Sequence, residues 1–125
     1  MLTVVGKFFG QGHRHFQRRM TDFPEVFRRA TGEYLFPGTL NVTVEHEIPI
    51  QEHFRIKGHE IDEPDQDLLF EVCRIDGLWA YRIRPLNLLH RGGGHGDNVI
   101  EIACAVELRT RPEFDPERIE IDFFR

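Results

Sequence analysis

Two cysteines are all that this chain of 125 residues contains. Cys73 and Cys104 lie far apart with no CxxC spacing, which leaves no disulfide framework and no thiol-based zinc or redox motif. Both sit inside apolar runs, where buried free thiols are expected. Also lacking is any stretch long and apolar enough to span a bilayer, and MLTVVGKFFGQG at the start has no apolar core of a secretory signal. A cytoplasmic protein with no membrane partner is the expectation. Positive charge is short as well: 16 Lys and Arg against 21 Asp and Glu give a formal net charge of −5. Neutralising a phosphate backbone needs the opposite balance, which argues against nucleic acid as a partner. The arginines nevertheless cluster at Arg14, Arg18, Arg19, Arg28 and Arg29, enough positive potential for a small anion such as a nucleotide.

Catalytic signatures are equally sparse. There is no G-x-S-x-G elbow and no Cys–His pair at a known local spacing. The glycine run Arg91-Gly92-Gly93-Gly94-His95-Gly96 has no Walker lysine and leads into no periodic helix, so it reads as a loop or lid. Seven histidines invite a metal reading, above all His13-Arg14-His15, whose rings share a face if that segment is extended. No third ligand stands at a recognisable spacing. The acidic run from Glu60 to Asp67 lacks the ligand period and central glycine of a calcium loop and reads as a solvated loop.

What is present describes one small domain, residues 1–125, with 40% hydrophobic residues and eleven Phe to build a core. Leu2 to Phe8 is rich in strand formers and runs into Gly10-Gln11-Gly12, a natural loop. Asp22 offers an N-cap carboxylate, and Phe23, Val26, Phe27 and Ala30 follow helical spacing to a stop at Gly32. Between Glu45 and Asp67 little periodicity is visible, beyond a short strand near Phe54 to Ile56. Leu68 to Ile75 and Leu78 to Arg84 flank Asp76-Gly77, the signature of a type I′ hairpin. Val99 to Ala105 and Arg118 to Phe124 complete the strands. Six short strands, one α-helix and Gly/Pro-rich loops predict a mainly β, barrel-like fold rather than alternating βαβ units.

Phe36-Pro37-Gly38-Thr39-Leu40-Asn41-Val42 is the stretch richest in chemistry. Pro-Gly turns the chain into a strand on which Leu40 and Val42 enter the core, while Thr39 and Asn41 project together to the other face. A hydroxyl beside a carboxamide oxygen suits a Mg²⁺ that takes its negative ligands from nucleotide phosphates. The same pair at a strand start also serves to hydrogen-bond neighbouring backbone. Spacing leaves the two readings equal.

Taken together, Gly10-Gln11-Gly12 after a first strand, a helix ending at Thr31-Gly32, Pro37-Gly38-Thr39-Leu40-Asn41, Ile100-Glu101-Ile102-Ala103 and Val106-Glu107-Leu108-Arg109 resemble the archaeal CTP-dependent riboflavin kinase family, nearly end to end. The resemblance implies a six-stranded cradle-loop barrel that transfers the γ-phosphoryl group of CTP to the ribityl hydroxyl of riboflavin, giving FMN and CDP. It implies nucleotide contacts at Phe8, Phe9, Gly10, Gln11, Gly12 and His13 and again at Val106, Glu107, Leu108 and Arg109. It further implies Mg²⁺ on Thr39 and Asn41, and a flavin-side, catalytic role for Glu101 in orienting or deprotonating the hydroxyl. Free backbone N–H groups at Gly10 and Gly12 would supply donors to phosphate. The chain departs from the family pattern in having Phe8 for a glycine, Glu107 for a basic residue and no flavin-site threonine near Leu86 to Leu89. An inactive nucleotide- or flavin-binding domain of the same fold is the alternative expectation, and an interaction barrel a weaker third.

Overall fold

Asp76 and Gly77, at φ 51° and 77°, both occupy the left-handed region that a type I′ turn requires. They join β4 (Leu68–Ile75) to β5 (Leu78–Pro85) in a hairpin paired without interruption from Leu68↔Pro85 to Ile75↔Leu78. The computed structural model describes residues 1–12, 14–86 and 96–125. His13, His90, His95, positions 87–89 and the glycine run 91–94 therefore lie outside the described residues.

The remaining strands are β1 (Leu2–Gln11), β2 (Leu40–Val44), β3 (Phe54–Ile56), β6 (Val99–Cys104) and β7 (Ile119–Phe123). Antiparallel pairing runs β4-β5-β6-β2-β1-β7 and closes through Cys73↔Phe123 and Ile75↔Ile121, so six strands form a closed barrel. Closure leaves no free edge among those six. β3 stands outside, pairing with the first half of β4 through Phe54↔Phe70 and Ile56↔Leu68.

Strand alternation divides the apolar residues between two cores. The interior takes Leu40, Val42, Val44, Ile100, Ile102 and Phe123, with Cys73 and Cys104 among them. Burial pushes the Cys73 thiol up to about 12, so it stays a neutral packing group. The second core lies on the outer face of β4 and β5, where Phe70, Tyr81 and Ile83 meet two short helices, α1 (Arg14–Asp22) and α2 (Pro24–Thr31). Phe27 of α2 is 1% exposed and meets Phe70 edge-on at 6.2 Å. Burying such a ring contributes about 1.5–3 kcal/mol.

One end of the interior is polar. Glu71 accepts a bidentate pair from Arg125, Nε to Oε2 at 2.9 Å and Nη2 to Oε1 at 2.8 Å. It also accepts the Gln51 N–H at 3.0 Å, and the Arg82 guanidinium lies 4.0 Å away. Desolvation lowers the pKa of Arg82 to about 10, against the pull of Glu71. The last residue thus fastens the barrel end to β4.

Several local expectations are corrected. α1 is a helix that the sequence does not announce, so His15 sits on a helix and not on an extended segment. Its ring contacts Glu63, which also accepts a 2.7 Å bond from Arg19. Asp22 ends α1 and does not cap α2; the N-cap is Phe23, with no side-chain bond. The helical face of Phe23, Val26, Phe27 and Ala30 does pack on the second core. Gly32, in the left-handed region, donates to the Arg28 carbonyl and ends α2. Gly10 and Gln11 belong to β1 rather than to a loop. The acidic run is partly tied down: it holds a 3₁₀ turn, Gly58–Ile61, and Asp67 accepts the Gly58 N–H at 2.9 Å and Arg55 at 3.1 Å. No helix among the described residues is long and apolar enough to cross a membrane.

Candidate functional site

β2 and β6 pair through Leu40↔Ile102, Asn41↔Glu101 and Val42↔Ile100. Because Leu40, Val42, Ile100 and Ile102 point inward, their neighbours Asn41 and Glu101 must point outward, directly opposite each other. Thr39, just before β2, donates its hydroxyl to Glu101 Oε2. Three polar side chains separated by up to 62 positions in sequence thus converge, each nearly buried at 4–7% exposure. Asn41 Oδ1 is buried without a hydrogen-bond partner among the described residues. Leaving such an acceptor dry costs about 1–3 kcal/mol, so its retention calls for an explanation.

β1 reaches this spot by way of a bulge. Its register against β2 shifts between Phe8↔Val42 and Gly10↔Asn41, with the exposed Phe9 at the bulge. The bulge carries the chain on to Gly12, whose N–H donates to the Thr39 carbonyl at 2.9 Å. That N–H is therefore spent within the protein rather than free for phosphate. A Cβ at Gly12 would overlap Thr39 Oγ1 and Glu101 Oε2, so only glycine permits the approach.

Thr39 and Gly12 border a cavity of about 500 Å³, a size common for small-ligand pockets. Its opposite wall is Val106, Glu107, Leu108 and Arg109, the segment that follows β6 and enters a 3₁₀ turn, Leu108–Thr110. Gln11 lines it too. Phe36, Pro37 and Gly38 form a rim held by the Phe36 N–H on the Cys104 carbonyl at 2.8 Å and by Gly38 N–H on Met20 Sδ at 3.4 Å. Phe8 and Phe9 are not lining residues, nor are Gly10, Asn41 and Glu101. Phe8 lies behind the wall, edge-on to Phe114 at 5.9 Å with the Arg109 guanidinium 5.2 Å over its ring. His13 lies outside the described residues.

Two more lining residues come from α1: Gln17, which escapes the sequence reading, and Arg14, which enters it only as one of a cluster of arginines. Their spacing of three puts both on one helix face, but the signal is usable only once the segment is known to be helical. The cavity wall then carries two cations, Arg14 and Arg109, against the carboxylate of Glu107. Among the described residues no three His, Cys, Asp or Glu side chains converge as a metal site. The oxygens gathered around Thr39 are instead a hydroxyl, a carboxamide oxygen and one carboxylate, a set that suits a hard cation completing its shell with water or phosphate.

Comparison of the chain with protein-family models and with curated proteins finds no match to either.

Proposed function

We propose that this chain is a CTP-dependent riboflavin kinase, using Mg²⁺ to transfer the γ-phosphoryl group of CTP to the terminal ribityl hydroxyl of riboflavin. The observation that carries this reading is the convergence of Thr39, Asn41 and Glu101 beside Gly12, a cluster of which Thr39 and Gly12 line the 500 Å³ cavity. Phosphoryl transfer asks little covalent work of a protein; it asks for charge neutralisation and an acceptor held in line. The buried Asn41 oxygen, which has no hydrogen-bond partner among the described residues, suits a ligand to a hard cation. Thr39 and Asn41 would hold the Mg²⁺, which when bound neutralises charge on the donor phosphates.

The protein's own groups do the rest. Arg14 and Arg109 line the cavity where a triphosphate would lie and offset its charge. The hydroxyl oxygen of riboflavin forms the new bond to the γ-phosphorus as the bridge to the β-phosphate breaks. The hydroxyl proton passes to the Glu101 carboxylate, and CDP leaves with the bridging oxygen. The Thr39 hydroxyl, bonded to Glu101 Oε2, orients that carboxylate. Glu107, on the same wall as Arg109, is best kept away from the phosphates, since like charges repel.

Incubation with riboflavin, Mg²⁺ and either CTP or ATP, followed by chromatography, tests the proposal. FMN is expected with CTP and not with ATP, and Thr39→Ala or Asn41→Ala should lower the rate at least about a hundredfold. Thermal stabilisation by CTP or riboflavin without FMN would instead mark a binding domain of the same fold. No response to either compound would overturn the proposal.

A further inference from the structure

A second cavity, about 370 Å³ and open to solvent, lies on the outer face of β4 and β5. It shares no lining residue with the first. Three aromatic side chains line it, Phe54, Trp79 and Tyr81, together with Val72 and the Thr31–Glu33 segment that leaves α2. Strand geometry explains the grouping. Trp79 and Tyr81 are two residues apart on β5 and so share a face, Val72 pairs directly with Tyr81, and Phe54 of β3 pairs with Phe70 one step along β4. The Phe54 and Tyr81 rings stand at 64° with centroids 6.5 Å apart, the two walls of a corner. Trp79 is 46% exposed, an unusual loss of apolar burial for so large a ring.

Glu33 is the one charged residue that lines this corner. Glu33 Oε2 accepts the Tyr81 hydroxyl at 2.7 Å, and among the described residues no cation pairs with Glu33. Burial and that neighbouring carboxylate push the Tyr81 phenol well above its ordinary value, so it stays a neutral donor to Glu33. The indole already shows that it accepts a cation, since the Arg74 guanidinium sits 4.3 Å from the Trp79 centroid.

We propose that this corner is a binding site for a small quaternary ammonium ion. Aromatic faces attract a positive charge through their quadrupoles, and Glu33 adds a full opposite charge at the rim. Methylated nitrogen is preferred over a primary ammonium because one carboxylate among aromatic and aliphatic side chains cannot satisfy three N–H donors. This site is independent of the nucleotide reading of the first cavity.

The chain has a single tryptophan, so its emission reports on the site directly. Choline is the probe, with 3,3-dimethylbutan-1-ol as a neutral isostere and sodium chloride to match ionic strength. A saturable change in emission with choline is expected, with the isostere at least about tenfold weaker. Glu33→Gln keeps a carbonyl oxygen for the Tyr81 hydroxyl and removes the charge; it should weaken choline about tenfold and leave the isostere unchanged. Trp79→Ala, followed by calorimetry, should abolish choline binding and serves if Glu33→Gln does not fold. Equal responses to choline and the isostere, no saturation, or unchanged choline affinity in the variant that folds would overturn the proposal.

Discussion

The inner faces of β2–β6 and β4–β5 share one apolar interior of Val, Ile, Leu, Ala and Cys, with Glu71 and Arg82 of β4–β5 at its polar end. Their outer faces are finished in opposite ways. On β4–β5 the outer face is apolar, with Phe70, Tyr81 and Ile83 covered by Phe16, Met20 and Phe27 of the helices. On β2–β6 the corresponding positions are Asn41 and Glu101, nearly as well buried and yet polar. On the proposed reading, equal burial with unequal chemistry separates what holds the fold from what serves a ligand. An apolar outer face gains free energy by being covered, whereas a polar one spends it unless something occupies it.

The comparison is broken most severely on the apolar side. Phe27→Ala should cost about 3–5 kcal/mol in urea unfolding, because the ring is enclosed and the site cannot collapse onto the hole. A loss below 1 kcal/mol would mean that the helices are not part of the cooperative unit. On the polar side the corresponding test is Gly12→Ala, which forces a methyl group into Thr39 and Glu101. Overpacking of that kind costs about 1–3 kcal/mol. It should also remove CTP-dependent stabilisation altogether, a pairing that a merely structural glycine would not show.

A smaller effect sharpens the contrast between the barrel and its acidic loop. The Gly58 N–H, helped by the Arg55 and Lys57 cations and opposed by burial, holds the Asp67 carboxyl below the usual range. At Glu63 burial opposes ionisation, but bonds from Arg19 and His15 outweigh it and the net shift is also downward. Carboxyls depressed in the folded state stabilise above their unfolded value and lose that contribution as pH falls through the folded one. The protein should therefore weaken below about pH 4, and Asp67→Asn should flatten that part of the profile by less than about 1 kcal/mol. An unchanged acid limb in the variant would show that Asp67 contributes nothing there.

The barrel was legible because its signals are local. Asp76-Gly77 dictates its own turn, and the alternation in Leu40-Asn41-Val42 tells which side chains turn inward. α1 escaped notice because it has few such signals: only Phe16 and Met20 anchor it, four apart, amid Arg, His and Gln. Asp22-Phe23-Pro24 looked like the start of a capped helix because a carboxylate before Phe-Pro suits an N-cap, but here it closes one helix before another begins. For the site, the paired projection of Thr39 and Asn41 could be read from strand period alone, while their meeting with Glu101 depends on the β2–β6 register. Register between strands 60 residues apart is set by barrel closure, which no local pattern encodes. The same holds for Glu33 and Tyr81, whose hydrogen bond spans 48 positions.

The central claim is that the outer face of β2–β6 keeps its buried polar groups for a ligand and not for the fold, and Asn41→Leu tests it most directly. Removing an acceptor that has no partner among the described residues should leave the free protein as stable as the wild type or about 1 kcal/mol more so. Unfolding is then followed with and without CTP and Mg²⁺. The wild type should be stabilised by the pair and the variant should not respond. A variant destabilised by more than about 1 kcal/mol that still responds to CTP and Mg²⁺ would contradict the account.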